Sequence, residues 1–189
     1  MAFKQISAAD NSTVTMSIDG VGGLVLKSNG ATQVGTPQIN AANPCFSAYQ
    51  TAASTSITSG VWATVVNYTE EFDVTNAFNP TTGVFAPLVA GYYQVNAQVE
   101  CGAASGLTRV SASIWRDTAS TVIKVNSSMA YSGTNGSSLC SAPIYLDGTG
   151  AGPTGVLYMR VLATGTTPIV NGSVSYSTSF SAALISRTA

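Results

Sequence analysis

The chain has 189 residues, 7 Lys+Arg against 8 Asp+Glu, no His, and only 8% charged residues. A globular protein usually carries about 25%, so polarity here rests on hydroxyls and amides: 24 Ser and 23 Thr make a quarter of the chain. A net charge of −1 offers no field to draw in a phosphate backbone, which argues against a nucleic-acid binder, and the scarcity of Lys, Glu and Arg argues against a helical bundle.

Taken in chain order, the first 36 residues hold two short strand candidates, with Val14, Met16 and Ile18 alternating against Thr13, Thr15 and Ser17 in the first and Leu24 and Leu26 in the second. Such a piece is too small for a core of its own. It therefore has to pack on the main domain, on its own copies or on another protein. Residues 37–44 follow as a linker with prolines at 37 and 44, and strand density rises from Cys45 onward.

In the main domain, Tyr93, Val95, Ala97 and Val99 alternate with Gln94, Asn96, Gln98 and Glu100. Val110, Ala112 and Ile114 alternate with Ser111 and Ser113, and Phe180, Ala182 and Leu184 with Ser179, Ser181 and Ala183. A period of two marks strands with one buried face. Residues 62–68, 122–129, 139–146, 156–162 and 170–176 are further strand candidates. Asp-Gly at 19–20 and 147–148, Asn-Gly at 29–30, 135–136 and 171–172, and Asn-Pro at 79–80 predict the turns between strands. No segment of ten or more residues has a helical period. The expected fold class is all-β, a sandwich or barrel.

Chemistry is sparse. Without His the commonest general base and metal ligand are gone, and no nucleophile elbow or phosphate-binding loop is present, so no enzyme and no cofactor are expected. The acidic cluster Glu70-Glu71-Phe72-Asp73 reads as a solvated rim, an inter-subunit polar contact or a calcium site. Arg109 and Trp115, on one strand, are a candidate glycan contact, against the plainer reading of edge charge. Cys45, Cys101 and Cys140 read as buried small hydrophobes, with a 101–140 bridge as the alternative. No apolar run reaches the length of a membrane span, and the first residues lack the blocks of a signal peptide, so cytoplasmic synthesis is expected.

One block is more specific. Cys45-Phe-Ser-Ala-Tyr49 opens a strand, Phe78-Asn-Pro-Thr-Thr-Gly-Val-Phe-Ala-Pro87 and Gly91-Tyr-Tyr-Gln-Val95 follow, and Thr178-Ser-Phe-Ser-Ala-Ala-Leu-Ile185 closes the domain. This resembles the globular-head jelly roll of complement component one q, whose superfamily includes tumour necrosis factor. Ala182 stands where that family often has Gly, and no collagen repeat precedes the domain. The wording of 46–49, 67–73, 90–95 and 24–30 is similar to structural proteins of tailed bacteriophages.

The resemblance implies a jelly-roll β-sandwich over residues 45–189 and a homotrimer whose interface lies near Phe46, Tyr93, Tyr158 and Phe180. The absence of charge from 28 to 69 and from 74 to 99 suits such an interface. It further implies a virion surface protein, either a capsid decoration, cement or head-fibre protein or the receptor-binding knob of a tail fibre. Residues 1–36 would then be the anchoring arm, reaching the major capsid protein or another virion protein through Phe3, Ile6, Val14, Met16, Ile18, Leu24 and Leu26.

Overall fold

The computed structural model describes residues 6–7, 13–18, 24–28, 31–32, 43–51, 55–116, 121–172 and 177–188. The chain divides into two units, 1–42 and 43–189.

The first unit is an antiparallel four-stranded meander: β1 (Ile6–Ser7), β2 (Thr13–Ile18), β3 (Leu24–Ser28) and β4 (Ala31–Thr32), in that spatial order. Phe3 and the expected turns at 19–20 and 29–30 lie outside the described residues.

The second unit contains β5 (Cys45–Tyr49), β6 (Thr55–Ser56), β7 (Ala63–Thr64), β8 (Thr69–Asp73), β9 (Phe78–Asn79), β10 (Val84–Phe85), β11 (Gly91–Arg116), β12 (Thr121–Leu146), the four-residue α1 (Gly152–Gly155), β13 (Leu157–Thr166), β14 (Ile169–Val170) and β15 (Ser179–Arg187). Eleven strands share one ladder, but the registers divide it in two. Residues 91–98 of β11 pair with β15 on one side, while residues 91–102 pair with the end of β12 on the other. Residues 105–116 pair with β13, and 107–116 with the start of β12. The first sheet therefore runs β8-β5-β15-β11-β12 and the second β9-β10-β13-β11-β12, with the two 26-residue strands passing from one to the other.

That passage corrects one expectation. Asn135-Gly136 makes no hairpin; it lies inside β12 opposite Cys101 and Gly102, next to the register shift between Gly102 and Leu107. Glycine within a strand permits the sharp bend of a sheet corner, and Gly106 on the facing strand takes a φ of +61° there. The strand expected over 62–68 is a two-residue β7 within a strap that crosses to β13.

Elsewhere the turn chemistry follows the residues. Asn79 Oδ1 accepts the amides of Thr81 (3.0 Å) and Thr82 (3.1 Å), and the Gly83 amide donates to the Asn79 carbonyl (2.8 Å), closing the β9–β10 hairpin. Gly83 has a φ of +72°, and a Cβ there would stand 2.4 Å from the Val65 carbonyl oxygen. The ladder of β10 stops at Phe85, two residues before Pro87.

Alternation decides which side chains fill the sandwich. Val95, Ala97, Val99 and Phe180 of the first sheet and Leu107, Val110, Ala112, Ile114, Leu157, Met159 and Val161 of the second are fully buried in one core. An aromatic cluster joins the layers: Phe46 stacks on Phe78 with centroids 4.2 Å apart, lies 4.7 Å from Phe85 and meets Phe180 edge-on at 5.2 Å.

Candidate functional site

With core positions fixed by one phase of each strand, the opposite phase points outward. On the first sheet this gives cross-strand rows. Phe72, Ser47, Ser181, Asn96 and Ser141 form one; Cys45, Ala183, Gln94 and Pro143 form the next; Tyr49, Ser179, Gln98 and Leu139 form a third. Asn96 Nδ2 donates to Ser181 Oγ (3.5 Å), Ser141 Oγ to Asn96 Oδ1 (2.7 Å) and Gln94 Nε2 to Ser141 Oγ (2.7 Å). Ser47 Oγ donates to Glu71 Oε2 (2.6 Å) at the bulge of β8. These groups engage one another without any ion in the three rows.

The face is uneven. Cys45, Ser47, Ser181 and Ala183 floor a shallow depression of about 250 Å³ between Phe72 and the amides of Gln94 and Asn96. From β8 to β11 is three strand spacings, about 14 Å. Beyond it the surface rises. Tyr92 and Tyr145 are cross-strand partners with ring centroids 5.5 Å apart, and Pro143 and Leu139 continue the ridge along β12. Phe72, Tyr92, Leu139, Tyr145 and Ile185 are all exposed large apolar side chains, Ile185 at the bulge of β15 opposite Tyr92 and Tyr93.

The outer face of the second sheet is different. Trp115 is buried beneath Trp62 of the strap (5.8 Å, edge-on), and the Arg160 guanidinium lies 4.6 Å above its ring. Its indole N–H donates to Ser113 Oγ (2.6 Å). Arg109 donates to Ser111 Oγ (3.0 Å) and Ser127 Oγ (3.2 Å). Six residues of extended chain, about 20 Å, separate Arg109 from Trp115. The structure does not bring them together, and the ring expected to stack on a sugar is occupied by Trp62 and Arg160.

The expected interface residues are also placed differently. Phe46, Tyr93 and Phe180 are at most 1% exposed within a single chain and belong to its core, while Tyr158 is 7% exposed with the Arg160 guanidinium 5.8 Å from its ring. Tyr93 donates its hydroxyl to the Val89 carbonyl (2.6 Å), and burial pushes its pKa up to about 12, opposed by the Arg187 charge. The residues of these strands that point outward are Tyr92, Gln94, Asn96, Ser47, Ser181 and Ala183. The signal was present: they are the other phase of the same alternations.

The acidic cluster is divided among separate tasks. Asp73 caps the turn that follows it, accepting the amides of Phe78 (2.7 Å) and Thr75 (3.2 Å), while Glu71 serves Ser47. Among the described residues no three His, Cys, Asp or Glu side chains stand together as metal ligands would. All three cysteines are free. Cys101 faces Gly136 and Cys140 faces Ala97 in the ladder, four residues apart along both strands, too far to bridge. Burial raises both thiols, Cys101 to about 12.

No protein-family model matches the sequence, and no curated protein matches it. Solved structures do. The Eiger TNF of S. frugiperda superimposes with a TM-score of 0.58 at 12% identity, covering 78% of this chain and 95% of that one. The fold is the tumour-necrosis-factor jelly roll. Murine APRIL shares it with a TM-score of 0.54 at 8% identity, over 76% of this chain and all of its own. So does the PRD1 vertex protein P5, with a TM-score of 0.53 at 16% identity, over 76% of this chain and 97% of its own.

Proposed function

We propose that the protein is a non-enzymatic, homotrimeric surface component of a bacteriophage virion, a capsid decoration, cement or head-fibre protein attached through residues 1–36 to the major capsid protein or another virion protein. The observation that carries the self-association is the outward face of the first sheet. Its three rows carry no ion, its amides and hydroxyls bond one another and, at the β8 edge, Glu71, and it is divided into a small-residue trough at one side and an aromatic ridge at the other. Removing these three rows from water costs little, because the rows themselves hold no charge and the carboxylates of Glu71 and Glu100 lie beside them.

The division also bears on symmetry. A trough and a ridge on different strands suit a head-to-tail, heterologous contact, which gives a ring where its rotation closes rather than a two-fold pair. The virion setting draws on the resemblance of residues 24–30, 46–49, 67–73 and 90–95 to tailed-phage structural proteins, and on the shared fold of a viral vertex protein. For the receptor-knob alternative, Arg109 and Trp115 give less support as a glycan contact, since six strand residues separate them and Trp62 lies over Trp115.

Labelling the protein on intact particles tests the location. Signal over the whole shell, lost on deletion of residues 2–36, supports decoration. Signal confined to the tail, together with free protein that blocks adsorption to host cells, supports the knob.

A further inference from the structure

The two sheets end in the edge strands β8 and β9, and a cleft of about 410 Å³ lies between them, lined by Glu70, Asn76, Phe78, Asn79 and Pro80. Register brings Glu70 to it. Glu70 pairs with Ala48, whose side chain is buried, while Phe72, beyond the bulge, pairs with Ser47 on the outward phase. Glu70 thus belongs to the cleft side of β8 and Phe72 to the proposed contact face. Asp73 braces the connecting turn by accepting the amides of Phe78 and Thr75, which fixes Asn76, at a φ of +53°, in the lining. Asn79 is oriented by its own turn. Its Oδ1 is taken by the Thr81 and Thr82 amides, a role only the oxygen can fill, so Nδ2 is left as the free donor. Among the described residues nothing bonds the Glu70 carboxylate or the Asn76 side-chain amide.

The cleft therefore offers an acceptor-only carboxylate from one sheet and an amide donor from the other. That pair selects its ligand. A metal ion or an ammonium group satisfies Glu70 but gives Asn79 Nδ2 nothing to donate to. An anion satisfies Nδ2 but is repelled by Glu70. A hydroxyl both donates and accepts. We propose that the cleft binds a neutral saccharide, whose hydroxyls donate to Glu70 and accept from Asn79, with Asn76 serving either way and the C–H face of a sugar ring against Pro80. The volume falls within the range of about 300–1,000 Å³ for small-ligand sites, and a lining this polar suits a hydrophilic ligand rather than an apolar one. The site needs neither the trimer nor the virion setting, and it lies on the opposite phase of β8 from the face proposed for self-association.

The test is saturation-transfer NMR on the full-length protein. The probes are neutral oligosaccharides containing glucose, galactose, mannose or N-acetylglucosamine, their sialylated counterparts and a Lys-rich peptide, each in EDTA and again with calcium. A neutral oligosaccharide should receive saturation in EDTA, and its affinity should fall roughly tenfold in Glu70→Ala and in Asn79→Asp. Asn79→Asp keeps an oxygen for both turn amides and exchanges only the donor for an acceptor, so an unchanged melting temperature shows that the hairpin has survived. Should that variant unfold, Glu70→Ala, at an exposed position, carries the test alone. Saturation of no neutral oligosaccharide, equal affinity in the variants, binding that appears only with calcium, or preference for the sialylated or Lys-rich probes overturns the proposal.

Discussion

The outer faces of the two sheets are made by the same pair of long strands, yet they are finished in opposite ways. Over residues 105–116 the outward positions of β11 are Arg109, Ser111, Ser113 and Trp115, and the chain covers the last of these with Trp62 of its own strap and Arg160 of β13. Over residues 91–100 they are Tyr92, Gln94, Asn96, Gln98 and Glu100; Asn171 Nδ2 donates to Glu100 Oε1 (3.0 Å), and no strap of the described chain pairs over the other four. The second sheet settles its outer face within one chain. The first leaves a contoured face of amides, hydroxyls and large apolar side chains in water, with its carboxylates at the margins, which is the character of a surface that meets a partner. Alternation alone does not separate these cases; what lies over the outward phase does.

Substitutions can break that contrast at chosen places. The largest loss of stability should come from Phe46→Ala, because this ring touches Phe78, Phe85 and Phe180 and so joins the layers behind both faces. A loss of about 3–5 kcal/mol is expected, read by urea unfolding.

Ala183→Arg puts a cation on the trough floor of the first sheet, and the prediction is a protein that keeps its far-ultraviolet β signature but sediments as a single chain. The matched change on the second sheet, Val125→Arg at an exposed position beside Ser113, should leave the mass unaltered. Equal effects of the two would erase the distinction.

Trp62→Ala sharpens the other side of the comparison. It removes the strap's ring from Trp115, so stability should fall by about 1–2 kcal/mol and Trp115 emission should shift to the red, with no change in assembly. An unshifted spectrum would mean that the strap does not cover the second sheet in solution.

The smallest effect lies at the corner between the sheets. Cys101 is held neutral by burial, aided by repulsion from Glu100, with its pKa raised from 9.0 to about 12. The folded chain therefore binds the thiol proton more tightly than the unfolded chain does. That contribution is fully present below pH 9 and is lost as pH climbs toward 12. The melting temperature should fall over this window, and less steeply in Cys101→Ala; identical slopes would remove the thiol from the account.

The jelly roll was legible because period-two patterning, the Thr82-Gly83 hairpin and the Pro87 stop are local signals that the tertiary structure respects. The proposed interaction face was harder to read for a matter of phase. Phe46, Tyr93 and Phe180 are the conspicuous residues of their strands, and a sandwich buries its largest rings between its layers. The surface is left to the small and amide neighbours, Ser47, Gln94 and Ser181, which look unremarkable in sequence. Trp115 misled for a non-local reason: the ring that covers it comes 53 residues earlier, in a strap whose course no local pattern records. Asn135-Gly136 misled because the same dipeptide serves a hairpin and a bend through a sheet corner, and only the partner strand decides between them.

The central claim is that copies of this chain meet through the open face of the first sheet. Sedimentation equilibrium of the full-length protein at micromolar concentration tests it most directly. The account predicts one species of three times 19.2 kDa, reduced to the single-chain mass by Ala183→Arg. A wild-type protein that sediments at 19.2 kDa would contradict it.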